Sequence, residues 1–75
     1  MSTDTTKTVD ARGLSCPQPV ILTLDAIKNM ASGTVTVLVD TDASRENVAR
    51  AAGFRGWNVA ESPAQDDATA LTLTK

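Results

Sequence analysis

Over residues 17–31 the apolar side chains of Val20, Leu24, Ile27 and Ala31 recur at steps of four, three and four, which is one face of a helix, and Gly33 supplies a stop. Residues 34–39 read Thr-Val-Thr-Val-Leu-Val, a β-branched and nearly continuous apolar run that predicts a central, buried strand. Asp40, Thr41 and Asp42 then offer capping side chains for a second helix from about residue 43 or 44 to residue 52. Its spacing turns Val48 and Ala51/Ala52 inward and Arg45, Glu46 and Arg50 outward, with Gly53 and Gly56 ending it. Residues 57–61 alternate as a half-buried strand, residues 62–67 turn, and residues 68–74 alternate again with Leu71 and Leu73 on one face. Ahead of all these, residues 9–11 form a short first strand leading into a turn at Gly13. Residues 1–7, rich in Thr and poor in anything to bury, read as a flexible tail, which leaves 8–75 as a single domain.

The predicted order is βαβαββ. Two helices cannot cover both faces of a four-stranded sheet, so both are expected on one side, an α+β two-layer sandwich. If the first two strands adjoin, the right-handed crossover rule makes them parallel neighbours, and with the last two as a hairpin the sheet is mixed.

Composition narrows the function. With 75 residues, a net charge of −2, one Trp, one Phe and no Tyr, the chain offers neither a basic surface nor a base-stacking platform, so no direct nucleic-acid binding is expected. No Cys/His cluster and no calcium-loop spacing of acids is present, so neither a metal nor another cofactor is expected. No apolar run approaches membrane-spanning length, and the polar start carries no leader-like stretch. The expectation is a cytoplasmic monomer with a reduced thiol.

That thiol is Cys16, the only cysteine, in the run Asp10-Ala11-Arg12-Gly13-Leu14-Ser15-Cys16-Pro17-Gln18-Pro19, where the first strand hands over to the first helix. Single cysteines are more often inert core fillers. Two prolines at a helix start, however, are an odd choice for ordinary packing, and a cysteine at a helix N-terminus feels the positive end of the macrodipole, which favours thiolate. If Cys16 is the N-cap, Pro17 and Pro19 take the first and third helical positions, and only the Gln18 N–H remains to meet the sulfur. Arg12 is a candidate support for the thiolate, Asp10 is expected to hold the turn through backbone hydrogen bonds, and Gly13 to take a backbone conformation closed to other residues. With no histidine and no second cysteine, neither a Cys/His pair nor an internal disulfide can form. Leu22 and Ala26, with Pro19, fall on a second stripe of the helix away from the Val20/Leu24/Ile27 face, a candidate partner surface.

The pattern Asp10-x-x-Gly13-x-x-Cys16-Pro17-x-Pro19, followed by Val20-Ile21 and an amphipathic helix, resembles the signature of the TusA/SirA/YedF sulfur-carrier family, from about residue 8 to the end of the chain. Arg45-Glu46-Asn47-Val48 looks most like the amino-terminal domain of YedF-type proteins associated with selenium metabolism, rather than the branch serving tRNA thiolation. The resemblance implies that Cys16 accepts sulfane sulfur as a persulfide from a cysteine desulfurase or another donor and relays it to an acceptor protein. The chain is then a sulfurtransferase-type carrier, a protein co-substrate rather than a self-sufficient enzyme. The alternatives are a thiol-redox or regulatory module linked to selenium metabolism, and a plain interaction or RNA-binding domain of similar topology, against which the low positive charge counts.

Overall fold

In a computed structural model that describes residues 6–15 and 17–75, the chain forms β1 (Thr6–Asp10), α1 (Gln18–Ile27), β2 (Thr34–Val39), α2 (Asp42–Phe54), β3 (Asn58–Pro63), a short turn over Gln65–Asp67, and β4 (Thr69–Thr74). The sheet order is β1-β2-β4-β3, with β1 parallel to β2 and both β2–β4 and β4–β3 antiparallel. This is the α+β arrangement expected from the pattern: a mixed four-stranded sheet with βαβαββ order.

The core lies between helices and sheet. Val35, Val37 and Val39 of β2 and Leu71 and Leu73 of β4 are fully buried, and Val48, Ala52, Ile27 and Trp57 close over them. Strand periodicity sends the alternate residues to the other face. There Thr6, Thr34 and Thr74 form one row and Thr8, Thr36 and Thr72 the next, all half-buried or exposed. β2 is therefore central in the sheet but buried on one face only, because its polar alternates are threonines, β-branched enough to read as continuous strand.

Several boundaries depart from the expected ones. Thr6 and Lys7, read as tail, are part of β1 and pair with Thr34 and Val35. Threonine forms strand readily once an unpaired edge stands beside it, and Lys7 Nζ donates to the Ala26 carbonyl at 3.0 Å. α1 stops at Ile27, not residue 31. The Met30 N–H bonds the Ile27 carbonyl at 3.0 Å, and Ala31 is exposed. Gly33 opens the sheet instead, exchanging two backbone hydrogen bonds with Lys75 at 3.2 and 3.1 Å.

The buried stripe of α1 is Pro19, Thr23 and Ile27, with Val20 and Leu24 half-buried beside it. Counting apolar residues misses Thr23, whose hydroxyl donates to the Pro19 carbonyl at 2.8 Å and so enters the core satisfied.

α2 runs past Gly53 to Phe54. Gly56, at φ 84°, supplies the left-handed residue, with hydrogen bonds from Gly56 N–H to the Gly53 carbonyl and from Trp57 N–H to the Ala52 carbonyl. That is a Schellman ending, which glycine makes cheaply. At the other end Thr41 is the N-cap, its hydroxyl oxygen accepting from the Ser44 N–H at 3.1 Å. Ser44, Val48 and Ala52 face inward. The turn between β3 and β4 places Asp66 and Asp67 at φ 58° and 63°, a conformation that aspartate tolerates better than most residues.

Thr41→Ala removes the cap and is expected to lower stability by about 1 kcal/mol, whereas Leu71→Ala in the fully buried row is expected to cost about 2–5 kcal/mol. Urea denaturation of the two variants against the parent measures both, and equal losses would contradict this partition of the fold.

Candidate functional site

Because β1 and β2 are parallel, their C-terminal ends lie together, and both helices start from that end of the sheet. Residues 11–15 leave β1 there. The ladder continues one step into them, with the Ala11 N–H on the Leu38 carbonyl at 2.9 Å and Ala11 itself fully buried. Gly13 then takes φ 77°, and its N–H donates to Asp40 Oδ2 at 2.8 Å. Nothing lies within 4 Å of where a Cβ would stand, so the requirement for glycine is conformational rather than steric. Asp40 was expected only as a cap for α2. It instead ties the end of β2 to the segment leading to Cys16. The signal in the sequence is an acid immediately after a buried strand whose parallel neighbour ends in a glycine turn.

Asp10 accepts the Arg12 N–H at 3.2 Å, a local backbone hydrogen bond. It does more: Arg12 Nε and Nη2 both donate to its two oxygens at 2.9 Å, a fork-to-fork pair. Arg12 pulls the Asp10 carboxyl from 3.8 down to about 2, mainly through the guanidinium hydrogen bonds and then through that of its backbone N–H. The Arg12 pKa is raised in return, by Asp10 first and more weakly by Asp66 and Asp40. The positive charge proposed for the neighbourhood of the thiol is thus balanced two residues away.

Cys16 itself lies outside the described residues. Its flanks are defined: Ser15, Pro17 and Gln18 are exposed. α1 begins one residue later than expected, with Pro17 at the cap position (φ −98°, ψ 15°), Gln18 first and Pro19 second. The reason is a tight turn in which the Gln18 N–H donates to the Ser15 carbonyl at 2.8 Å before the first helical bond, Ile21 N–H to the Pro17 carbonyl at 3.1 Å. Pro17 and Pro19 have no N–H, and that of Gln18 is occupied, so these three residues present no free backbone donor.

Pro19 is fully buried and Ala26 half-buried against the core, so neither belongs to an outward stripe. The outward apolar pair next to the junction is Leu22, 36% exposed, with Ile21, 46% exposed and absent from the expected surface. Further along α2, Arg45 Nη1 reaches both Glu61 oxygens at 3.3 Å and its Nη2 lies 3.7 Å from Asp42, fastening the helix to β3. Among the described residues no group of three His, Cys, Asp or Glu side chains is arranged to hold a metal ion. No helix is long and apolar enough to cross a membrane.

The Asp10 shift has a pH consequence. A carboxyl whose folded pKa lies below its unfolded value adds stability above about pH 4, and this is lost as pH falls toward about 2. Both partners are partly exposed, 38% for Arg12 and 54% for Asp10, so the contribution is small. Denaturation midpoints measured through this window are expected to fall more steeply for the parent than for Asp10→Asn. Parallel curves would show that the pair adds nothing to stability.

Comparison with known proteins agrees with this geometry. The profile of the family described as Sulfurtransferase TusA matches residues 7–75. A putative sulfur carrier protein of Halobacterium salinarum is 42% identical over 40 residues, 53% of this chain and 49% of that protein, so the match spans about half of the relative's length. Sulfur carrier protein TusA of Pseudomonas putida is 33% identical over 61 residues, 80% of this chain and 74% of that one. The crystal structure of a SirA-like protein from Desulfitobacterium hafniense superimposes with a TM-score of 0.83 at 36% identity, covering 91% of this chain and 95% of the other. With its glycine turn, its Cys-Pro-Gln-Pro junction and nearly its whole length inside the profile, the chain belongs to the TusA family.

Proposed function

We propose that this protein is a sulfur carrier that takes up sulfane sulfur on Cys16 as a persulfide and passes it to a second protein. The observation that carries the reading is the family match over residues 7–75, which includes the only cysteine of the chain in a Cys-Pro-Gln-Pro junction with exposed flanks. In the loading step the Cys16 thiolate attacks the outer sulfur of a donor's persulfide. A new sulfur–sulfur bond forms on Cys16, the donor's breaks, and the donor leaves as a thiolate, with no net oxidation. Delivery is the same exchange in reverse toward an acceptor nucleophile.

The chain has no histidine to move protons, so the donor, a cysteine desulfurase or a protein of like chemistry, and the acceptor supply acid and base. The protein works in this reading as a monomeric co-substrate in the cytoplasm. Leu22 and Ile21, exposed on α1 beside the junction, form the surface that both partners cover while the thiol is engaged.

Incubation with a cysteine desulfurase and cysteine, followed by intact-mass measurement, is expected to add the mass of sulfur to the parent and none to Cys16→Ser. Adducts of oxygen or glutathione alone would replace the carrier by a redox module, and sulfur on Cys16→Ser would remove Cys16 from the reaction. Leu22→Asp is expected to leave stability within about 0.5 kcal/mol of the parent while slowing sulfur exchange, because a charge would be desolvated at the interface. Unchanged exchange rates in that variant would place the partner surface elsewhere.

A further inference from the structure

The chain's four arginines divide between two ends of the domain. At the end where β1 and β2 finish, Arg12 is paired with Asp10, and Arg45 with Asp42 and Glu61. Both helices start there and run away from it, so the last residue of α2, Phe54, stands at the opposite end, next to the row that joins Asn58, Thr74 and Thr34. Phe54 is 83% exposed, while Trp57, three residues on, is buried. It is flanked by Arg50, one turn earlier on the same helix face, and by Arg55, and neither has an acidic partner among the described residues.

Arg55 also lines a groove of about 320 Å³ between the ends of the two helices, floored by Leu24 and Ile27 and rimmed by Lys28. Asp25, the one acid in that groove, already lies 3.6 Å from Lys28 Nζ. Lys75 adds a further cation, its Nζ donating to the Arg55 carbonyl at 3.3 Å. An exposed phenylalanine between unpaired guanidiniums, beside an apolar groove, combines aromatic and arginine side chains, both enriched at protein interfaces.

We propose that this end of the domain is a second docking surface, and that its occupant is an acidic protein segment carrying apolar side chains. The apolar residues cover Phe54 and enter the Leu24/Ile27 groove, and the carboxylates face Arg50 and Arg55. Charge complementarity selects the acidic partner. The apolar floor suits an aliphatic or aromatic side chain, whereas a single aromatic on a chain of net charge −2 makes a poor platform for successive bases.

The surface is tested without any sulfur chemistry, so its failure leaves the carrier reading untouched. A fluorescein-labelled peptide alternating glutamate with leucine is titrated by anisotropy against the full chain, beside the same peptide with lysine for glutamate and a uridine oligonucleotide. The glutamate peptide is expected to bind best. Its affinity is expected to drop about tenfold or more in Phe54→Ser and in the double variant Arg50→Gln/Arg55→Gln. Leu22→Asp, on the other surface, is expected to bind as the parent does. All these positions are exposed or partly so, and unchanged unfolding midpoints verify that the variants remain folded. No binding of the glutamate peptide, equal binding by the variants, or tighter binding of the lysine peptide or of the oligonucleotide would each overturn the proposal.

Discussion

Parallel pairing of β1 with β2 is the constraint on which the rest of this domain depends. Two consecutive strands can lie parallel only if the chain returns along the length of the sheet, and α1 is that return. The C-terminal ends of both strands therefore meet at one end, bringing Asp40, twenty-seven residues away in sequence, within 2.8 Å of the Gly13 amide. One carboxylate then anchors the turn before the thiol to the most deeply buried strand of the molecule. An antiparallel arrangement would have put Asp40 at the far end and left the turn tethered by Asp10 alone.

The residues around Cys16 share a chemical character. Two prolines delete backbone donors, a turn occupies the Gln18 amide, and a carboxylate neutralises the neighbouring arginine. A site built to hold an anion gathers donors and cations, as helix N-termini do for phosphate. Here Pro17, Gln18 and Pro19 offer no free backbone donor. A carrier gains nothing from gripping its cargo, since free energy gained on loading must be returned on delivery.

Most of the architecture was legible in the pattern of apolar positions, because valine alternation in β2 and leucine alternation in β4 specify which faces are buried. What the pattern concealed has identifiable causes. Thr23 looked polar until its hydroxyl found the Pro19 carbonyl, and that one residue rotated the buried face of α1 and took Pro19 out of the candidate partner surface. Gly53 and Gly56 both looked like helix stops, and only the backbone conformation distinguishes them. Thr6 and Lys7 looked like tail because strand pairing is a long-range matter and local composition carries no record of the partner edge. At the site, the glycine turn and the prolines were readable from spacing. The bond from the Gly13 N–H to Asp40 was not, since it depends on where the chain returns, and the local bond from the Gln18 N–H to the Ser15 carbonyl was hidden because spacing alone lets either Cys16 or Pro17 stand at the helix cap.

The uncovered face of the sheet carries its own consequence. Six threonines in two rows meet solvent where another domain of this kind would need a second layer of helices. Each γ-methyl keeps the backbone extended while each hydroxyl stays hydrated. These two rows carry no charged side chain, so added salt has little there to screen.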